Sequence, residues 1–405
     1  LTALRDLTAS AVMMGLLAAF VGYSASFAIV MAALEAMGAT EAQAATGLFF
    51  ATLAMGLCSL VLPLITRAPS AIAWSTPGAA FLASSATLPG GFGEALGALI
   101  TCGVLILITG LIPALGRWVG RIPKPIANAL LAGVLLKLCL APALALGSIP
   151  ALMIPVILAW IVGLRLNRLA AMPLAVLTMA VVLAFTVDFE AAGAAFSAGW
   201  FPTVAPSMPI FEPVSMLSVG LPLYLVTMAG QNIPGFAVLE LNNFPARRPL
   251  MLRVTGVASL LSAPFGAMPI NMSAITAAMM CGEDAGANPV KRYWAATISG
   301  VSYCLLALLA GVTATLVTIA PTALIIGIAG LALIPALVGS LRSAFSEPGQ
   351  LEAPALTFLT AASGMTLFGV SGAFWGLVLG GLVWLSKSLL NRQTHASSKP
   401  DDDRA

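Results

Sequence analysis

The sequence predicts an all-α polytopic membrane protein, with fourteen transmembrane segments arranged as a 7+7 inverted repeat. Three observations lead there. Of the 405 residues, 60% are hydrophobic and 8% charged, whereas soluble domains carry about 25% charged residues. Mean hydropathy is +1.03, and apolar runs close to the roughly twenty residues of a span follow one another with little between them. Finally, two of those runs are broken in the middle by Pro and Gly at related places in the chain.

The same composition excludes other classes. The five Cys (Cys58, Cys102, Cys139, Cys281, Cys304) sit in or beside apolar stretches without paired spacing and read as small reduced hydrophobes. The single His, His395, lies in the polar tail, so no buried imidazole is on offer as a proton relay. No metal site or cofactor motif is visible. A net charge of +3 does not point to nucleic acid; how it is distributed among loops matters more.

Taken in order, the segments are 9–34, 43–66, 70–87, 94–116, 123–140, 148–165, 172–189, 214–239, 248–263, 265–282, 290–317, 320–341, 353–368 and 371–390. The first has no small-residue cleavage site after it and reads as a retained span. In the third, Ala71 to Trp74 can be extended, Ser75 or Thr76 can cap, and Pro77 suits a first helical turn. The eighth carries Gly230, Pro234 and Gly235, which loosen a helix. In the tenth, Pro264, Gly266 and Pro269 oppose a helix up to Asn271, which can cap a helix starting there. We therefore expect Ala71–Trp74 and Phe265–Ile270 to pair as short strands, each feeding a half-helix. Residues 190–213, with Trp200, Phe201 and Phe211, read as an interfacial connection. The tail from Asn391 reads as disordered.

Charge tests the count. With both termini cytoplasmic, 17 of the 18 Lys and Arg fall on inside connections, and only Lys137 does not. Glu35, Glu41, Glu94, Asp188, Glu190 and Glu212 fall outside. An error of one span in mid-chain would destroy this asymmetry. Seven spans per half give two halves of opposite orientation. A shift of 209 aligns Phe27-Ala28 with Phe236-Ala237 and Thr46-Gly47 with Thr255-Gly256. A shift of 196 aligns Trp74-Ser75 with Ile270-Asn271 and Pro125 with Pro321. The shared order of features, long span, span, broken span, carries more weight than these identities.

Four polar clusters fall at membrane depth: Tyr23, Ser24 and Ser26; Trp74, Ser75 and Thr76; Gln231 and Asn232; Asn271 and Ser273, with Met272 between them a further candidate site residue. An amide in hydrocarbon is costly without a partner. Each could merely bond across helices, but together they occupy corresponding places in two halves. None of these segments holds a mid-membrane Asp or Glu. Two inward-pointing helix starts with amides, hydroxyls and no fixed negative charge suit an anion. Phe27, Tyr23 and Trp74 could supply an aromatic wall. Lys137 snorkels or attracts an anion at the outer mouth, and Asn128 reads as a structural amide.

The runs A-W-S-T-P-G-A-A-F-L, M-A-G-Q-N-I-P-G-F-A-V-L, F-G-A-M-P-I-N-M-S-A-I-T-A-A and I-P-K-P-I-A-N-A-L-L-A-G-V-L-L resemble the benzoate transporter family, often called BenE. The resemblance covers nearly the whole chain, and Q-N-I-P-G-F and I-N-M-S-A-I-T are its most specific parts. It implies a proton symporter taking benzoate into bacteria across the inner membrane, related in fold to nucleobase–ascorbate transporters and sulfate permeases. It implies no enzyme activity. It further implies a core domain (1–117 and 214–317), a gate domain (118–190 and 318–390) and a homodimer through the gate, with the connection 191–213 and the tail 391–405 set apart by their composition. Nucleobase relatives carry acidic residues where Gln231 and Asn271 stand here. That departure suits a carboxylate substrate and leaves proton coupling without an evident carboxylate.

Overall fold

The computed structural model describes residues 6–85, 87–112, 114–115, 117, 122–166, 170–186, 204–367 and 370–397. In chain order the elements are α1 (Ala9–Ser24), α2 (Phe27–Ala36), α3 (Glu41–Thr66), β1 (Ile72–Trp74), α4 (Thr76–Ser84), α5 (Gly91–Leu111), α6 (Lys124–Cys139), α7 (Ala141–Ser148), α8 (Pro150–Leu166) and α9 (Ala171–Thr186). After these come α10 (Pro213–Leu241), α11 (Arg248–Ser262), β2 (Ile270–Met272), α12 (Ala274–Cys281), α13 (Tyr293–Leu308), α14 (Ala310–Ile319), α15 (Thr322–Ala344), α16 (Glu352–Ala362), β3 (Thr366–Leu367), β4 (Val370–Ser371) and α17 (Gly372–Ser397). Among the described residues, six helical stretches are long and apolar enough to cross a membrane: Ala9–Ala36, Glu41–Thr66, Gly91–Leu111, Lys124–Ser148, Pro213–Leu241 and Thr322–Ala344.

Local chemistry sets most boundaries. A capping box joins Thr40 and Gln43 at the start of α3, and Arg67 ends it at φ 53°. Ser75 caps α4 by accepting the Gly78 N–H at 3.0 Å. In α10 two wide π turns, Met216–Gly220 and Met228–Asn232, stand just before Pro222 and Pro234. Each Pro lacks an N–H and its ring crowds the carbonyl four residues back, and the widened turn relieves that crowding.

The two strands cross antiparallel, pairing Ile72 with Met272, Ala73 with Asn271 and Trp74 with Ile270. Their pairing extends through Ser75 N–H to Pro269 O (2.8 Å) and Ser273 N–H to Ala71 O (2.9 Å). Side chains close the outer edges: on β2 Ser259 Oγ accepts the Ile270 N–H at 2.8 Å and Asn232 Oδ1 accepts the Met272 N–H at 3.0 Å, and on β1 Ser59 Oγ donates to Ile72 O at 3.4 Å. A two-stranded sheet in a membrane protein needs such partners, since neither edge has water to turn to.

α3 lies along α13, α5 along α11, and α1 along α13, while α6 packs against α15 and α16, and α16 against α17. Glycine permits the closest approach: a Cβ on Gly300 of α13 would lie 2.6 Å from Leu60 N of α3, and one on Gly56 would lie 2.9 Å from Cys304 N.

Several expectations are corrected. The second strand is Ile270–Met272, not Phe265–Ile270. Pro264 sits early in a 3₁₀ turn, Ala263–Phe265, where its missing N–H costs no bond. Gly266 ends that turn at φ 83°, and Phe265 stacks on Phe50 at 3.9 Å. Asn271 is therefore a strand residue, and α12 starts at Ala274 with Ser273 in the cap position. The first span is interrupted at Ala25–Ser26, where Ser26 Oγ donates to Gly22 O at 2.8 Å. The thirteenth segment stops at Ala362, because Gly364 turns the chain at φ 66° into the β3–β4 hairpin. α17 continues to Ser397, past the Asn391 at which disorder is expected, since nothing between them breaks a helix. Trp200 and Phe201 lie outside the described residues.

Candidate functional site

The strand crossing aims two short helices at a common space. α4 starts from β1 and α12 from β2, so both N-termini emerge at the centre of the molecule. Beside them lies a cavity of about 430 Å³. Its polar lining comes from Ser26, Thr76, Asn128, Gln231, Ser273, Thr276 and Ser340, and its apolar lining includes Val21, Leu131, Leu135, Ile275 and Leu333. Among the described lining residues none carries a charge. Helix N-termini contribute a positive partial charge there.

The structure sorts the sequence-predicted residues into two sets. Thr76, Gln231 and Ser273 line the cavity. Tyr23, Phe27 and Trp74 form an aromatic cluster behind it: Tyr23 stacks on Phe27 at 5.8 Å and tilts against Trp74 at 5.5 Å. Trp74 is buried, with its indole N–H donating to Ser26 Oγ at 2.9 Å, and the Tyr23 hydroxyl lies 3.0 Å from Thr313 Oγ1. This cluster holds the α1–α2 interruption against β1, so it shapes the cavity wall without forming its lining.

Four polar members of the expected site are engaged elsewhere. Ser24 Oγ reaches Val21 O at 3.4 Å. Ser75 is fully buried between the α4 turn and Thr227, with Oγ to Oγ1 at 2.7 Å. Asn232 ties α10 to β2 and donates from Nδ2 to Met228 Sδ at 3.3 Å. Asn271 is fully buried in β2, with Nδ2 donating to Pro269 O at 3.2 Å. Met272, also fully buried, is core.

Ser26, from the first polar cluster, lines the cavity as well; Thr276 and Ser340 line it although sequence reasoning does not place them there, and Asn128, read as a structural amide, lines it too. Asn128 Nδ2 does bond Lys124 O at 2.8 Å. A second cavity of about 490 Å³ lies at the other end of α4, against Phe81, Ser84 and Ser85. It also holds Glu94 and Glu212. Glu94, expected at the outer surface, is buried and accepts from Ser215 Oγ at 3.0 Å. Glu240 pairs with Arg248 at 2.7 Å on the surface, and Lys137 is exposed.

Comparison with known proteins places this geometry among transporters. The family model described as benzoate membrane transport protein matches residues 5–385. The inner membrane protein YdcO of Escherichia coli is 34% identical over 379 residues, covering 93% of this chain and 95% of that protein. The benzoate membrane transport protein of Acinetobacter baylyi is 29% identical over 389 residues, covering 94% and 95%. Among solved structures, the transmembrane domain of a cyanobacterial bicarbonate transporter, BicA, superposes with a TM-score of 0.58 at 13% identity, covering 92% of this chain and 98% of that one. SLC26A9 superposes with a TM-score of 0.59 at 12% identity, covering 94% and 66%. The fold is thus the helical membrane fold of these transporters.

Proposed function

The chain belongs to the benzoate membrane transport protein family, and from that premise we propose that it imports an aromatic carboxylate, benzoate first, together with protons. It is a multi-pass inner membrane protein by its apolar helices and its relatives. The observation that carries the substrate reading is the central cavity: two helix starts, several uncharged donors and apolar walls, without a fixed charge among its described lining residues. A carboxylate is met there by N–H and O–H groups and the ring by aliphatic side chains.

Several finer features belong to the same proposal. Fourteen segments in two inverted halves put both termini in the cytoplasm. The exchanged pairings support the repeat: α3 packs on α13 as α11 packs on α5, about the single strand crossing. The core domain (α1–α5 and α10–α14) would move against the gate domain (α6–α9 and α15–α17), as an elevator or by rocking, and expose the site alternately. Pairing through the gate would give a homodimer. Protons would travel with the substrate or along hydroxyl and amide groups, since the described cavity lining offers no carboxylate.

An inorganic-anion carrier is the second reading, favoured by the likeness to BicA and SLC26A9. Uptake of labelled benzoate into proteoliposomes under an inward proton gradient separates the two. Competition by ring-substituted benzoates, with none by bicarbonate, sulfate or uracil, is the expected result. Uptake of bicarbonate with none of benzoate would sink the aromatic reading.

A further inference from the structure

The two half-helices are not equivalent as anion sites. At the start of α4, Pro77 has no N–H, Gly78 donates to Ser75 Oγ at 3.0 Å, and Ala79 donates to Ser75 O at 2.8 Å. Only the Thr76 N–H remains in that turn. At the start of α12, Ser273 makes no side-chain cap. The first intrahelical bond is Ala277 N–H to Ser273 O at 3.2 Å, so the N–H groups of Ala274, Ile275 and Thr276 precede it and lack a helical acceptor. One turn is closed by the protein itself and the other is open.

A second observation lies in that open turn. Thr276 lines the cavity and is 3% exposed, yet its Oγ1 has no hydrogen-bond partner. This is unusual for this protein. Thr46, Thr52, Thr66, Thr255 and Thr357 each return the hydroxyl to the carbonyl four residues back, at 2.6–3.0 Å. Four residues before Thr276 stands Met272, a strand residue, so the helical geometry for that bond is missing. The Thr276 methyl is turned toward Gly22, where a Cβ would lie 3.3 Å from Cγ2. A buried hydroxyl without a partner loses free energy unless a ligand supplies one.

We propose that, of the two half-helices, the substrate anion docks on α12 and not on α4, with the Thr276 hydroxyl as the side-chain ligand on that helix and α4 as wall. Thr276 is then the specificity-determining donor of the site, and Ala274, Ile275 and Thr276 supply backbone N–H groups. The inference rests on the transport reading for the identity of the anion, but the site itself does not depend on benzoate.

The test uses the full chain, purified, titrated with benzoate and separately with bicarbonate. Thr276→Val, near-isosteric without the hydroxyl, is expected to weaken binding about tenfold or more. Thr276→Ser restores it to within about threefold, because the hydroxyl and not the methyl is the ligand. Thr255→Val, a buried and back-bonded threonine outside the cavity, controls for the Thr-to-Val exchange and the fold. Retained affinity in Thr276→Val, or equal loss in Thr276→Ser, overturns the proposal. Wild-type protein that binds bicarbonate and not benzoate overturns the aromatic reading alone, and the same variants then decide the site on bicarbonate. Binding of neither anion overturns both.

Discussion

Asn232 Oδ1 accepts the backbone N–H of Met272 at 3.0 Å. Through this bond the loosened span α10 holds the edge of the strand crossing, and both residues are fully buried. Asn232→Ala leaves the Met272 N–H unpaired, at a cost of about 1–3 kcal/mol. We expect a lower midpoint of thermal unfolding for the purified variant. An unchanged midpoint would show that the bond does not hold α10 to the sheet.

Gln231, the neighbouring amide, lines the cavity instead. Gln231→Ala should weaken benzoate binding about 10- to 150-fold, the value of one hydrogen bond to a charged group. Asn271→Ala should change it by less than about threefold, since Asn271 bonds Pro269 O and does not line the cavity. Calorimetric titration of both variants checks this, and the reverse ranking would restore Asn271 to the site.

Gly339 lines the cavity and a Cβ built on it meets nothing within 4 Å. Gly339→Cys is therefore expected to fold and transport. The basic residues Lys124 and Arg342 mark the ends of α6 and α15 nearest Asn128 and Ser340, so by the positive-inside rule we expect this cavity to open to the cytoplasm. An impermeant thiol reagent should label Gly339→Cys in inside-out vesicles above the native cysteine background, and benzoate should slow the reaction. Labelling only in right-side-out vesicles would invert the orientation.

Glu240 is half-exposed and paired with Arg248. A surface pair of this kind contributes roughly 0–1 kcal/mol. Glu240→Gln should keep both proton-driven uptake and counterflow exchange. Loss of proton-driven uptake with exchange intact would make Glu240 the coupling group.

The fold is legible where a local rule decides it. Pro77 after Ser75 announces the start of α4, and Gly230, Pro234 and Gly235 announce a disturbed α10. The second break is misplaced by several residues when Pro264 is taken to oppose a helix, whereas an early turn position tolerates it. The interruption at Ala25–Ser26 is illegible: it is held by the Trp74 indole, 48 residues away in sequence. Thr76, Gln231 and Ser273 can be read as polar groups at membrane depth. Thr276 cannot, because a helical threonine ordinarily satisfies itself, and only the strand before α12 shows that this one does not.

One consequence concerns the membrane voltage. The two cavities touch opposite ends of α4, Thr76 and Pro77 at one and Ser84 and Ser85 at the other. Nine residues of helix span about 13 Å at 1.5 Å each. With water-filled spaces on both sides, most of the transmembrane field would fall across that length. A lone carboxylate carried inward against an inside-negative potential of 100 mV would oppose roughly 2.3 kcal/mol. One accompanying proton makes the movement electrically neutral, so a second would be needed before voltage itself could drive accumulation.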